Sequence, residues 1–126
     1  MKKTMITLLL LAAITSAHAQ VMKKEKGGLY IINTTTLAQD VEGYNGTTPL
    51  EIHIRKNSIV KVEMLKNQET PKYRARIKKE MLPRYENMKI KKNKAVTVDG
   101  VTGATFTSEA VKENVQRGLA YYWKNK

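Results

Sequence analysis

The chain has 126 residues, with 23 Lys and Arg against 11 Asp and Glu, and its net charge is +12. This length is enough for one compact domain but not for two. It contains no cysteine, which excludes disulfides, thiolate metal sites and thiol nucleophiles together. Any redox function would therefore need a bound cofactor.

Residues 1–19 are typical of a secretory signal peptide. Two lysines precede an apolar run over residues 5–14, and small Ala17 and Ala19 precede the expected cleavage before Gln20. The apolar run is about half of the roughly 20 residues that a membrane-spanning helix needs. We therefore expect an exported protein, in the periplasm or on the outer surface of a bacterial cell.

Residues 20–28 are rich in lysine and end in two glycines, which predicts a flexible leader that carries no fold information. The single domain is then expected to span residues 29–126. A first strand is predicted at residues 29–32, because this apolar run leads into three threonines. Two glycines and an asparagine within residues 43–46 predict a turn.

A β-hairpin is predicted over residues 50–65. Leu50, Ile52 and Ile54 alternate with polar residues, a polar turn follows, and the alternation then continues in a second strand. His53 is on the outward side of this alternation, so we expect it at the surface and not as a metal ligand. Because the other histidine leaves with the signal peptide, the sequence predicts no metal site.

A middle helix is predicted over residues 72–81. Pro71 suits the first turn of a helix, and Tyr73, Ile77 and Met81 recur on one face. A short strand is expected within residues 90–98, where the chain ends its lysine-rich segment in alternating β-branched residues.

Residues 99–108 form a loop with two glycines and four hydroxyl residues that leads into a final helix. Ser108 is expected to cap this helix. Free N–H groups and the helix dipole converge at such an N-terminus, which suits phosphate binding. Gly100 and Gly103 would let the backbone approach a ligand, and Ala104 keeps the space beside Thr105 open. A strand-to-helix turn rich in capping residues explains the same pattern equally well.

The motif DGVTGAT at residues 99–105 resembles the flavinylation motif of the FMN-binding domain family. This family includes the C subunit of sodium-translocating NADH:quinone reductase and the G subunit of Rnf-type complexes. Residues 43–46 also resemble the family's glycine-tyrosine turn, and residues 67–71 resemble its Asn-Glu-Thr-Pro segment. The chain departs from the family after Pro71, where a basic helix replaces the usual glycine-rich turn.

The resemblance implies that residues 29–126 are an FMN-binding domain in which a flavin transferase attaches FMN, from FAD, to Thr105 as a phosphoester. It implies a redox protein or a membrane redox complex as the partner. The cofactor-binding residues that it implies are Thr105, Asp99, Gly100, Thr102, Gly103, Ala104, Thr107, Ser108, Tyr44, Glu69 and Thr70.

Three of the residues in these motifs have competing interpretations. The Asp99 carboxylate could ligate a metal ion that is bound to the pyrophosphate, or be recognised by the transferase, or it could bond its own backbone in a turn. Tyr44 could contact the flavin or pack in the core. Phe106 could take part in binding, but it is expected to anchor the loop in the core.

The basic charge is compatible with nucleic acid, anionic lipid or an acidic partner, but export argues against nucleic acid. The lysines are either a solvated surface or a docking patch. The aromatic residues at 121–123 either pack the helix end onto the sheet or make a peripheral membrane or partner contact.

We expect an α+β fold: a small antiparallel sheet with a central hairpin, a middle helix, and a C-terminal helix packed on one face. The expected function is that of an electron carrier or redox subunit, rather than an independent enzyme. The alternative is a flavin-free binding module whose basic surface docks an anionic partner.

Overall fold

The computed structural model describes residues 20–126, so the predicted signal peptide lies outside the described residues. The strands are β1 (Met22–Glu25), β2 (Leu29–Asn33), β3 (Glu42–Gly43), β4 (Gly46–Thr47), β5 (Leu50–Arg55) and β6 (Ser58–Met64). A four-stranded antiparallel sheet has the strand order β1-β2-β5-β6, and β3 and β4 form a small separate hairpin. The α+β fold is as predicted.

The central hairpin is confirmed at β5 and β6, whose register pairs Leu50 with Met64 and Ile52 with Val62. Lys56 and Asn57 connect the two strands with positive φ angles of 51° and 57°. A two-residue turn with positive φ at both positions matches the twist of antiparallel strands. The first predicted strand is also present, as β2.

The prediction of a leader without fold information over residues 20–28 is wrong. Met22 pairs with Ile32 and Glu25 with Leu29, so this segment forms the edge strand β1. Gly27 and Gly28 both have positive φ and turn the chain back onto β2. Exposed lysines at positions 23 and 24 are typical of an edge strand, where charge discourages pairing with another chain.

The middle helix is confirmed as α1 (Pro71–Arg76), which continues through a π-helical turn (Ile77–Met81) and a 3-10 turn (Leu82–Tyr85). Pro71 occupies the beginning of α1, as expected. Ile77 and Met81 are fully buried, whereas Tyr73 is only partly buried. The face that these three residues share is therefore divided between the core and the surface.

The C-terminal helix α2 (Thr105–Asn125) begins three residues before the predicted cap. Ser108 is not the cap, because it lies inside the first turns and its Oγ accepts a hydrogen bond from the Val101 N–H at 2.9 Å. The strand expected within residues 90–98 is absent. Val96 and Val98 are buried from an irregular segment, so their β-branched pattern reflects core packing without strand pairing.

The helix α2 packs across one face of the sheet, as predicted. A Cβ added to Gly118 would lie 2.5 Å from Ile52 Cδ1 and 3.2 Å from Thr34 Cγ2, so the helix backbone approaches the sheet closely here. The Thr34 hydroxyl donates to Asn114 Oδ1 at 2.6 Å and accepts from the Leu50 N–H at 2.8 Å. These contacts fix the position of α2 along the sheet. Within residues 20–126, no helix has the length and apolar character needed to cross a bilayer.

Candidate functional site at the first turn of the C-terminal helix

An open groove of about 210 Å³, the aromatic groove, lies beside the first turn of α2. The Tyr44 ring makes an edge contact with Tyr73 at a centroid distance of 5.4 Å and lies 6.4 Å from Phe106 at a tilt of 34°. Tyr44 is 56% exposed and Phe106 is 68% exposed. Clustered exposed aromatic rings are typical of a binding surface. The residues that line this groove are Tyr44, Tyr73, Gly103, Ala104, Thr105, Phe106 and Thr107.

The four hydroxyl residues of the loop have different environments. Thr107 is buried and donates to Glu69 Oε2 at 2.7 Å, and Ser108 is buried and accepts from the Val101 backbone. Thr102 is exposed but does not line the aromatic groove. Thr105 is both exposed and part of the groove. It is therefore the loop hydroxyl that is accessible to a ligand or an enzyme at this site.

A buried carboxylate supports the groove from behind. Glu69 is 2% exposed, and its Oε1 accepts from the Asn45 N–H at 3.3 Å and from the Thr48 hydroxyl at 3.2 Å. Its Oε2 accepts from Thr107. A buried charge is tolerated when several donors satisfy it. Glu69 thus joins the β3–β4 hairpin to the first turn of α2.

Gly43 is required by this carboxylate. A Cβ at this position would lie 2.3 Å from Glu69 Oε1 and 2.9 Å from Thr48 Oγ1. Thr70 adds a second link, because its Oγ1 accepts from Asn45 Nδ2 at 3.1 Å while its carbonyl accepts from the Arg74 N–H. The hairpin that carries Tyr44 is therefore held against the beginning of α1.

The two loop glycines meet different steric requirements. Gly103 has a φ of 85°, and a Cβ there would lie 3.1 Å from Arg76 Nη1. A Cβ on Gly100 would lie 2.9 Å from Ser108 Cβ. The absence of a side chain at Gly100 allows the loop to pack on α2, whereas Gly103 allows the left-handed turn before Thr105.

Two arginines lie against the loop. Arg84 Nη1 donates to the Asp99 carbonyl at 2.6 Å. Arg76, whose Nη1 is the neighbour of Gly103, donates through Nε to Glu80 at 2.9 Å, and this hydrogen bond lowers the pKa of the Glu80 carboxyl. The Asp99 side chain is exposed, and it forms no hydrogen bond or ion pair with the described residues. The loop thus presents a free carboxylate and lies beside cationic side chains.

The structure divides the predicted site residues into three groups. Tyr44, Gly103, Ala104, Thr105 and Thr107 line the aromatic groove. Glu69 and Thr70 support it from behind through hydrogen bonds. The remaining residues belong to the loop outside the groove: Asp99, Gly100, Thr102 and Ser108.

Two aromatic residues of the groove were not among the predicted site residues. Phe106 is exposed, so its interpretation as a core anchor is wrong; the helix starts at Thr105 and turns the next side chain outward. Tyr73 was assigned to the apolar face of α1. Its place after the Glu-Thr-Pro segment, two residues beyond Pro71, was the available signal for a role beside Tyr44.

A polar cluster on the sheet lies outside this groove. Ligand atoms of Glu51, His53 and Glu63 lie within 4.8 Å of one another. His53 is buried, with Nε2 2.9 Å from Glu51 Oε1, so its prediction as a surface residue is wrong. Its neighbours across both adjacent strands shield it. Lys61 Nζ is 2.7 Å from Glu63 Oε1 and already provides this carboxylate with a cation.

Comparison with known families finds a match to the FMN-binding domain over residues 43–120, which includes the whole aromatic groove. Comparisons with curated proteins and with solved structures found no match.

Proposed function

The chain belongs to the FMN-binding domain family, and from this membership we propose that it is an exported electron carrier with FMN attached to Thr105 as a phosphoester. The observation that supports this attachment site most strongly is that the loop hydroxyls differ in exposure and in position relative to the groove. Thr107 and Ser108 are buried in hydrogen bonds, and Thr102 lies outside the groove, whereas Thr105 is exposed within it.

The residues of the groove fit the two halves of FMN. Tyr44, Tyr73 and Phe106 offer aromatic surface to the planar ring system, which would otherwise be exposed to water. The first turn of α2 leaves N–H groups without intrahelical partners, and these favour a phosphate. Arg76, beside Gly103, adds positive charge near the same turn. When bound, FMN supplies one-electron and two-electron transfer.

The rest of the site keeps these groups in place. Glu69 holds the hairpin that carries Tyr44 and the first turn that carries Thr105, through separate carboxylate oxygens. Gly43 and Gly103 permit these close approaches. A cofactor held on rigid elements in this way avoids the entropic cost of ordering the site for each electron transfer.

Attachment requires a transferase, because the described site has no base positioned on Thr105. In the proposed step, Thr105 Oγ1 forms a bond to the FMN phosphorus of FAD while the bond to the AMP phosphate breaks. AMP leaves, and the hydroxyl proton passes to a base of the transferase. The exposed Asp99 carboxylate offers an oxygen ligand for a cation on the pyrophosphate or a contact for the transferase.

The electron-carrier role also implies a location and a partner. The sequence of residues 1–19 supports export to the periplasm or the outer surface, where covalent attachment prevents loss of the cofactor. The proposed partner is a redox protein or a membrane redox complex.

Co-expression with a flavin transferase tests this proposal. The wild-type chain should gain the mass of one FMN-phosphoryl group and keep a yellow colour after denaturation, and Thr105→Val should gain neither. Valine keeps the branched shape and removes the nucleophilic oxygen.

Thr102→Val is the matched control, because it removes the other exposed hydroxyl of the loop but keeps the Thr105 oxygen, so some labelling should remain. If Thr105→Val were labelled to the same extent as the wild type, the assignment of Thr105 as the acceptor would be wrong. If a transferase that is active on other substrates left the wild-type chain unlabelled, the proposal of a covalent flavin carrier would be overturned.

A further inference from the structure

A larger groove, the lysine groove, lies at the other end of α2. Its volume is about 520 Å³, and it is lined by residues of the 91–95 segment and by the last turns of α2. Four exposed lysines surround it, and no acidic residue lines it. Its floor includes the buried Leu119 and the half-buried Trp123. The four lysines are Lys91, Lys92, Lys94 and Lys124.

The charges of this groove are uncompensated. Within residues 20–126, none of the four lysines forms an ion pair, whereas Lys23, Lys61 and Lys112 each have a carboxylate partner. A concave surface lined by one sign of charge concentrates ligands of the opposite sign. The positive potential here is thus directed into a cavity rather than distributed over a flat face.

The groove is built from ordered contacts. Gln116 Nε2 donates to the Val96 carbonyl and joins the two walls. The Lys94 N–H donates to the Lys91 carbonyl at 3.2 Å, in a turn where Asn93 has a φ of 62°. The Ile90 N–H donates to Asn57 at the base of this segment. The binding surface therefore exists before a ligand arrives, which lowers the entropic cost of binding.

We propose that the lysine groove docks an acidic segment of a partner protein, with carboxylates on the lysines and an apolar side chain on the Leu119 and Trp123 floor. The groove volume lies within the range of about 300 to 1,000 Å³ that holds compact ligands, so it would take a few residues of such a segment. Charge complementarity selects the acidic side chains, and the floor selects the apolar one.

The shape of the surface favours a peptide over the other anionic occupants. A membrane-binding surface would insert protruding apolar groups. The Trp123 ring instead packs against the Tyr122 ring at a centroid distance of 5.2 Å, and Lys126 Nζ lies over it, 4.9 Å from its centroid. Binding of single-stranded nucleic acid combines a basic groove with a series of stacking rings, and Trp123 is the single aromatic residue that lines this groove.

Docking here leaves the aromatic groove free. Residues 116–124 lie about 17 to 29 Å from Thr105 along α2, at about 1.5 Å per residue. A partner bound in the lysine groove is thus tethered at the opposite end of the helix from the proposed cofactor. Binding in the lysine groove does not depend on FMN, so Thr105→Val should bind the partner segment as the wild type does.

Trp123 is the single tryptophan of the chain, so its fluorescence reports directly on the groove. The probe is a short peptide of Asp and Glu with one central Leu, titrated into the purified protein. We expect a saturable change in emission, and a weaker affinity as salt rises from about 50 to about 300 mM. Replacing the central Leu by Ser should weaken binding about threefold, because the floor then gains no apolar partner.

Charge-reversal variants test the position of the site. The Lys92→Glu/Lys94→Glu double variant should lower the affinity at least about tenfold. The Lys66→Glu/Lys79→Glu control makes the same change in net charge at exposed lysines outside the groove. It should change the affinity for the peptide by less than about twofold. Calorimetry provides a readout independent of fluorescence.

Three outcomes would overturn the proposal. Equal effects of the two double variants would mean that a diffuse positive field binds the peptide. A shift of Trp123 emission with phosphatidylglycerol vesicles but not with the peptide would identify a membrane surface. A shift of Trp123 emission with a DNA oligonucleotide but not with the peptide would identify a nucleic-acid surface.

Discussion

The first turn of α2 and the turn around Gly118 of the same helix are attached to the rest of the molecule by different physical means. At Gly118, one turn beyond the Asn114 hydrogen bond, the helix backbone lies against Ile52, and this contact is apolar. In the first turn, Thr107 is held by the buried Glu69 carboxylate, and the contact is polar. A directional hydrogen bond can anchor one side chain while its neighbour Thr105 stays exposed, whereas close packing buries a whole face.

Among the contacts that hold α2, the largest effect is expected at the polar anchor. Glu69→Leu would leave the Asn45 N–H and the Thr48 and Thr107 hydroxyls without their acceptor, and we expect the free energy of unfolding to fall by about 3 kcal/mol. Urea denaturation measures this change. Labelling of the folded protein at Thr105 should also slow, because the first turn loses its anchor.

Glu69→Gln is the matched control for this substitution. Its amide oxygen can still accept from the Asn45 N–H and from Thr48, and its NH₂ group can donate to the Thr107 hydroxyl. The loss should then be about 1 kcal/mol. If the Gln and Leu variants unfolded at the same urea concentration, the hydrogen bonds of Glu69 would not be the anchor.

An intermediate effect is expected at the apolar contact. Gly118→Ala improves helix propensity by about 1 kcal/mol but places a Cβ 2.5 Å from the buried Ile52 Cδ1. Overpacking of this kind costs about 1–3 kcal/mol, so we expect a net loss of about 1 kcal/mol. Labelling of the folded variant should equal that of the wild type, in contrast to Glu69→Leu.

The contact can be tested by a double-mutant cycle. Ile52→Val removes the Cδ1 atom that the new methyl group would meet, so Gly118→Ala should cost less in that background. An unchanged cost in the Ile52→Val background would place the strain elsewhere.

The sequence predicted those parts of the fold that local patterns determine. Alternation of Leu50, Ile52 and Ile54 predicted the central hairpin, and Pro71 with the recurring apolar face predicted α1. Residues 22–25 were missed because an edge strand rich in lysine has no apolar face of its own, and its pairing depends on the turn at Gly27 and Gly28. Val96 and Val98 were assigned to a strand because β-branched alternation does not reveal whether a neighbouring strand is available.

The candidate site was predicted in outline from its motifs, but the roles within it depend on tertiary contacts. The hydroxyls of Thr105 and Thr107 are equivalent in a linear pattern and become distinct only when Glu69, 38 positions away from Thr107, accepts one of them. Tyr73 and Phe106 were missed as site residues for the same reason. Aromatic residues near an amphipathic helix are most often in a core. Whether such a residue lies in the core or on a binding surface depends on which face of the helix the neighbouring hairpin covers.

The smallest effect is expected at Phe106, and it distinguishes the two interpretations of this residue. A core anchor would lose about 3–5 kcal/mol on truncation to Ala, whereas a ring that is 68% exposed should lose about 0.5 kcal/mol or less. Tyr85→Ala is the matched control, because Tyr85 is fully buried and should lose about 4 kcal/mol. Urea denaturation of both variants without flavin gives the comparison. A large loss at Phe106 would mean that the first turn of α2 is anchored by its apolar side chain as well as by Thr107, and the aromatic groove would then belong to the core rather than to a ligand surface.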